Sequence, residues 1–312
     1  RPRADAAAPA PHGSEGLLPG WVPLSRLLGG FYAVRPIGRG TGGSVLLAVR
    51  AEQRARADRE LVALKVPDYS GDAARNLSEH EFEQLFREEA GALLALPAHP
   101  NLARFITFDA SALPKPILVM EFVRGTNLER TLDGGTLAMP RALAIIDGLL
   151  AGLDAMHGAQ IAHLDVKPAN LVLRDGAGDA VLVDFGLAGR RIRAGCGSIH
   201  YGAAEVWTDG ESGPPFPADI YAAACVAFEV LTNTVLMRGD TIKAVLDQHF
   251  AAVPAREILA RLVRTRGLAP LGELLGVALA RDPKRRPSAA RLRAGFRAIA
   301  PDLENLAWPL PS

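Results

Sequence analysis

The sequence predicts an α+β protein of two lobes, a small antiparallel β-sheet lobe with one main helix followed by a larger, mainly helical lobe. Three observations carry this prediction. Short apolar runs of strand length cluster between Phe31 and about Glu121, one long helical pattern interrupts them, and beyond Phe122 the apolar periodicity turns helical almost throughout. A chain of 312 residues with 49% hydrophobic content buries a full core and sits at the size where one core begins to divide.

Taken in order, residues 1–30 read as a flexible leader, the first 20 of them rich in Ala, Pro and Gly and without apolar periodicity. The small lobe, 31–121, carries predicted strands at 31–37, 45–49, 61–66, 105–108 and 117–120. Its helix is predicted over 78–96, where Ser78 followed three residues on by Glu81 forms a capping box and Phe82, Leu85, Phe86, Leu93 and Leu96 recur near helical spacing. The large lobe, 122–298, opens with a helix over 141–156 that places Leu143, Ile146, Leu150 and Leu153 on one face. Strands at 171–174 and 180–183 flank the turn-forming DGAGD loop and predict a hairpin. From about Pro217 apolar helices alternate with polar breaks, and 299–312 reads as a tail.

Composition excludes several classes. A formal charge of +1 provides no global field for nucleic acid or anionic lipid, so neither is an expected partner. Two cysteines, Cys196 and Cys225, lack metal-ligand spacing and form no disulfide framework, which fits a reducing cytoplasm. The longest apolar run, 218–231, is interrupted by Glu229 and too short to span a bilayer. The chain opens on Arg1, as expected of a piece processed or excised from something longer.

Four constellations carry chemistry. In the stretch IGRGTGGSV (37–45), Gly38, Gly40 and Gly43 allow a backbone to approach triphosphate oxygens that any Cβ would obstruct. An ordinary glycine-rich turn would also satisfy this pattern alone; the strand that follows, instead of a helix, argues against a dinucleotide site. Next, VALK (62–65) ends an apolar strand on Lys65, whose ammonium is suited to α- and β-phosphates. An apolar setting demands a counter-charge, supplied by Glu89 on the helix or by its neighbour Glu88. Third, HLDVKPAN (163–170) sets Asp165, Lys167 and Asn170 on one loop. These are a carboxylate to orient and deprotonate a hydroxyl, a lysine to neutralise a transferring phosphoryl group and an amide oxygen for Mg²⁺. Fourth, VDFG (183–186) adds a second metal-binding carboxylate, Asp184, with Phe185 packed beneath it and Gly186 after it.

In this order the motifs resemble the eukaryotic-type (Hanks-type) serine/threonine protein kinase family, in a bacterial branch suggested by heavy use of Ala, Arg, Gly and Pro. The resemblance covers 31 to about 298 and implies a bilobal protein-kinase-like fold, ATP and Mg²⁺ (or Mn²⁺) as cofactors, and protein substrates bearing Ser or Thr. It further implies an ATP site made by Gly38, Gly40, Gly43, Val45, Ala63, Lys65, Met120, Glu121 and Val123, the last three in a segment that bonds adenine through its backbone. Asp165, Lys167, Lys65 and Glu89 take catalytic roles, and Asn170 and Asp184 hold the metal. Ser198 and Glu205 lie in GSIHYGAAE (197–205), which resembles the end of an activation segment. Asp219 matches an aspartate that anchors the catalytic loop, and Arg286, in RDPKRRPS (281–288), is the implied partner of Glu205. Lys167 two residues after Asp165 and the hydroxyl of Ser198 both fit serine/threonine kinases.

The chain departs from the family in four places. The arginine that usually follows the catalytic-loop histidine is Leu164, which within the resemblance implies a non-RD kinase, and 187–197 contains no Ser, Thr or Tyr. Receiver and donor of an activating phosphate are both absent. Arg190, Arg191 and Arg193 make that segment basic, read as a solvated loop with preference for acidic substrates as the alternative. Ala204 and Ala224 replace a family proline and glycine, with local repacking expected. Two rival readings are a pseudokinase scaffold that binds ATP without turnover and a small-molecule phosphotransferase. Against the second stand Lys167 and the 197–205 and 281–288 motifs.

Overall fold

The run with the densest apolar content, Leu61–Val66, becomes an interior strand because nearly all its side chains have somewhere dry to go. In the computed structural model, which describes residues 17–40, 43–67, 78–186, 188–189, 198–208 and 213–306, this strand belongs to the first of two units. That unit comprises Arg1–Leu94 with Arg104–Phe122; the second comprises Ala95–Ala103 with Val123–Ser312.

The first unit is built on a six-stranded antiparallel sheet of β1 (Leu27–Leu28), β2 (Phe31–Gly40), β3 (Gly43–Arg50), β4 (Leu61–Val66), β5 (Phe105–Asp109) and β6 (Ile117–Glu121), in the order β1-β2-β3-β4-β6-β5. Period-2 alternation turns Phe31, Ala33, Leu46, Ala48, Val62, Leu64, Val66, Ile117 and Val119 onto one core. Leu28 is fully buried in that core, and Leu18, Trp21 and Val22 pack against it. The leader read over 1–30 therefore stops short of these residues: a two-residue strand and a few apolar side chains split by Pro19, Gly20 and Pro23 make too short a pattern for sequence reasoning to detect. Trp21 also lies beneath the ammonium of Lys115, 5.3 Å from its ring centroid.

The helix of this unit, α1 (Glu79–Leu93), begins at Ser78, whose hydroxyl accepts from the Glu81 N–H while the Glu81 carboxylate accepts from the Ser78 N–H. It ends before the predicted Leu96 because Pro97 disfavours helical backbone in the residue preceding it. Phe86 of α1 is buried and its ring lies 6.0 Å from Phe108.

In the second unit a three-stranded sheet pairs β7 (Gly125–Asn127), β8 (Leu171–Arg174) and β9 (Ala180–Leu182). The polar β7 has no strand signature in sequence. The hairpin's second strand is one residue shorter than read, since the Val183 N–H donates to the Asn170 carbonyl. Helices α2 (Leu128–Asp133) and α3 (Met139–Gly158) follow β7, the first capped by Asn127 and the second carrying Pro140 in its first turn. Gly148 and Gly152 let α3 approach the hairpin and the segment before β5: a Cβ on Gly152 would stand 3.2 Å from Leu182 Cδ1 and 3.0 Å from the Asn101 carbonyl oxygen. The later helices are α4 (Phe216–Thr232), α5 (Ile242–Phe250), α6 (Arg256–Arg264), α7 (Ala269–Ala278) and α8 (Ala289–Glu304). Helix α4 is buried from Ala218 to Thr232, so it forms the core of the unit; α8 packs along α3, with Arg293 and Arg297 both donating to Asp147. Among the described residues no helix is long and apolar enough to cross a membrane.

Candidate active site

The loop between α3 and β8 is held by one buried carboxylate. Asp219, in the first turn of α4, accepts from the backbone N–H groups of His163 (Oδ2, 2.8 Å) and Leu164 (Oδ1, 2.7 Å), and His157 Nε2 lies 2.9 Å from the same Oδ2. These bonds hold Leu164 at φ +63°, a left-handed conformation that a leucine would otherwise avoid. The ring of His163 donates through Nε2 to the Val183 carbonyl (3.3 Å), because a carbonyl only accepts; its Nδ1 then accepts from the Asp165 N–H. Phe185 is fully buried with its ring 5.5 Å from that imidazole.

This frame brings four polar side chains together. Asp165 is buried; its Oδ2 accepts from Lys167 Nζ (2.8 Å) and from Asn170 Nδ2 (2.9 Å), and its Oδ1 accepts from Ser198 Oγ (2.9 Å). Lys167 Nζ also donates to Ser198 Oγ at 3.0 Å, closing a ring between the loop and a residue 31 positions downstream. Asn170 Nδ2 makes a second bond to the Asp165 carbonyl, so the amide presents its oxygen on the opposite side. Asp184 follows Val183, whose N–H is tied to Asn170 and whose carbonyl is tied to His163; it stands at φ +56° with Oδ1 accepting from the Gly186 N–H at 3.3 Å. A carboxylate that accepts from a hydroxyl and lies beside an ammonium is placed to draw off a proton while positive charge remains next to it. The Asn170 and Asp184 oxygens are hard donors of the kind Mg²⁺ prefers.

Further along, Glu205 receives a two-pronged bond from Arg286, whose Nη2 lies 3.1 Å from one carboxylate oxygen while Nη1 bonds the other. Arg286 also donates to the carbonyls of Ala280 and Pro217 (both 2.9 Å), and its guanidinium lies 4.9 Å from the Tyr221 ring centroid.

In the first unit, Lys65 on β4 is fully buried, opposite Val45 of β3 and Leu118 of β6. Ala63 and Met120, directly paired across the sheet, are both buried. The Glu121 N–H donates to the Arg104 carbonyl, while Val123, a buried residue, opens the second unit. Nothing lies within 4 Å of where a Cβ on Gly38 would stand, and Gly43 has φ +139°. Glu88 is exposed and accepts from Gln84 at 3.3 Å; the Glu89 side chain, residues 41–42 and the basic stretch with Arg190, Arg191, Arg193 and Cys196 lie outside the described residues. Sequence reasoning missed Glu229 and His249. The signal for Glu229 was present, an acidic residue inside an otherwise apolar run; it is fully buried and accepts from the Tyr201 hydroxyl at 2.7 Å.

A family model described as "Protein kinase domain" matches residues 31–294. Among similar proteins, the serine/threonine-protein kinase PkaB of Streptomyces coelicolor is 34% identical over 91% of this chain and 66% of its own length. PknL of Mycobacterium bovis, also a serine/threonine-protein kinase, is 33% identical over 81% of this chain and 62% of its own. PkaA of S. coelicolor is 30% identical over 85% and 49%. The chain thus spans less than two thirds of the length of these relatives.

Proposed function

Since the chain belongs to the protein kinase domain family, we propose that it is a serine/threonine protein kinase that transfers the γ-phosphoryl group of Mg-ATP to hydroxyls of protein substrates. The observation that carries the reading is the closed ring of Asp165, Lys167 and Ser198, with Asn170 bonded to Asp165 beside it. In it Asp165 aligns the attacking hydroxyl and accepts its proton, and Lys167 neutralises charge at the transferring group. When bound, Mg-ATP would supply the phosphoryl group and the cation to offset the developing charge. Asn170 and Asp184 would hold the metal through their oxygens, and Lys65, with Glu89 as its counter-charge, would hold the phosphates. Gly38, Gly40 and Gly43 would approach those phosphates through their backbone, with Val45, Ala63, Met120, Glu121 and Val123 around the base.

The test is transfer of labelled γ-phosphate from Mg-ATP to the chain itself and to a generic basic protein, comparing wild type with Asp165→Asn. Transfer that falls by about 10²–10⁴ in the variant supports the reading. If wild type transfers nothing while ATP still raises its melting temperature, the chain is an ATP-binding scaffold instead.

The same reading extends to control. Leu164 is buried in an apolar cluster with Ala162, Val206 and Ala218, so it offers no cation to a phosphate, and 187–197 contains no hydroxyl to carry one. Phosphorylation of that segment is therefore not the switch, and phosphatase treatment should leave the rate unchanged. A large loss of rate would move control to Ser198 or to a remote site.

A further inference from the structure

Successive residues after Ser198 are each tethered. The His200 ring donates through Nδ1 to the Met237 carbonyl (2.8 Å), and the Tyr201 hydroxyl donates to Glu229. Both of these bonds hold side chains. His249, near the end of α5, instead holds backbone: its Nε2 lies 2.9 Å from the Ile199 carbonyl oxygen. A carbonyl only accepts, so Nε2 carries the proton and Nδ1 has the lone pair; Nδ1 then accepts from the Tyr221 hydroxyl at 2.8 Å. The imidazole is fully buried and both nitrogens are committed. Burial pushes its pKa down to about 4, with His200 adding to the effect and the Ile199 bond opposing it, so the ring is neutral at ordinary pH. Tyr221 is itself fixed under Arg286, which is paired with Glu205.

We propose that His249 is a positioning residue for phosphoryl transfer: by holding the Ile199 carbonyl it sets the backbone that carries Ser198, and with it the Ser198–Asp165–Lys167 arrangement. The proposal rests on the kinase reading above. His249 thus bonds the backbone next to Ser198 from a remote helix, alongside the local Tyr201 and Gly202 N–H groups that donate to the Ser198 carbonyl. A displacement of order 1 Å at a reacting group costs up to about 10²-fold in rate, whereas a histidine that merely fills space between α5 and α4 would affect melting temperature alone.

The experiment uses the full chain with His249→Ala, His249→Gln and Tyr221→Phe. It reads kcat and KM for ATP and for a generic protein substrate, together with amide hydrogen exchange. The Tyr201 and Gly202 N–H groups, which both donate to the Ser198 carbonyl (2.9 and 2.8 Å), report directly on the segment. His249→Ala should lower kcat by about 10- to 100-fold with the KM for ATP little changed. Exchange at Tyr201 and Gly202 should rise about tenfold, the loss of one hydrogen bond, with α3 and α8 unaffected. Glutamine places an amide donor near the former Nε2, so His249→Gln should recover most of both. Tyr221→Phe should give a smaller change in the same direction. Wild-type kcat in His249→Ala with only a lower melting temperature would overturn the proposal, as would exchange rising equally in α8. If His249→Ala does not fold, a His249→Gln that behaves no better than a general destabilisation overturns it. If wild type itself transfers no phosphate, the kinase reading fails, and the exchange at Tyr201 and Gly202 alone decides whether His249 sets this segment.

Discussion

Two ionic arrangements in the second unit join segments far apart in sequence, and they do so under opposite solvent conditions. Arg286 and Glu205 are separated by 81 residues and sit in the interior, with guanidinium and carboxylate side chains 1% and 10% exposed. Asp147 meets Arg293 and Arg297 across α3 and α8 with all three side chains reaching water, at 31%, 28% and 61%. A buried pair has already lost its hydration, so it is tolerable only while every lone pair and N–H is matched; an exposed one can exchange its partner for water at small cost. The buried arrangement therefore fixes the turn Ala204–Trp207 against the Ala280 and Pro217 carbonyls, and the exposed one adds a fastening between α3 and α8.

The most forceful way to break this contrast is Arg286→Ala. It leaves the Glu205 carboxylate in the interior without its partner and strips donors from the Ala280 and Pro217 carbonyls. Urea unfolding should show a loss of about 3–5 kcal/mol. A loss under about 1 kcal/mol would mean that water reaches Glu205 and that the two arrangements are alike.

A second measurement sharpens the contrast through protons. The folded-state pKa of His249 lies near 4, below the ordinary 6.5, mainly because the ring is buried. Between those values the unfolded chain binds a proton that the folded chain refuses, so stability falls as pH drops from about 6.5 towards 4. The full effect is roughly 3 kcal/mol, at about 1.4 kcal/mol per pH unit. Unfolding free energies of wild type and His249→Gln across pH 4–7 should therefore diverge, the variant losing less stability on the acid side. Parallel curves would show that the imidazole is hydrated.

The same division between local and remote pairing explains what could be read from the sequence. Ser78 and Glu81 were legible as a cap because their partners are three residues apart, and the strand over 61–66 because an unbroken apolar run leaves few alternatives. The catalytic loop was legible because Asp165, Lys167 and Asn170 fall within six positions whose chemistry is unusual together. Leu28 and Trp21 were lost to the leader, since they join the core one at a time, and β7 was lost because Gly125, Thr126 and Asn127 carry no apolar signal. His249 was invisible for the same reason in stronger form: its partners, Tyr221 and Ile199, stand 28 and 50 residues away and neither belongs to a motif with it.

The smallest expected effect belongs to the exposed arrangement. The Arg293 guanidinium, with Arg297 adding to it and partial burial opposing, holds the Asp147 carboxyl at about 2 instead of 3.8. A depressed folded-state value means that this contribution is present above pH about 4 and is lost as pH falls towards 2. Because the side chains are solvated, the shift overstates the gain, and Asp147→Asn should cost less than about 1 kcal/mol at neutral pH. That difference should shrink in 1 M salt, where screening acts over about 3 Å, and fade as pH falls through 2, where the wild-type carboxyl itself takes up its proton. A salt-independent loss of several kcal/mol would instead place Asp147 with Glu205, among the carboxylates whose pairing the fold cannot do without.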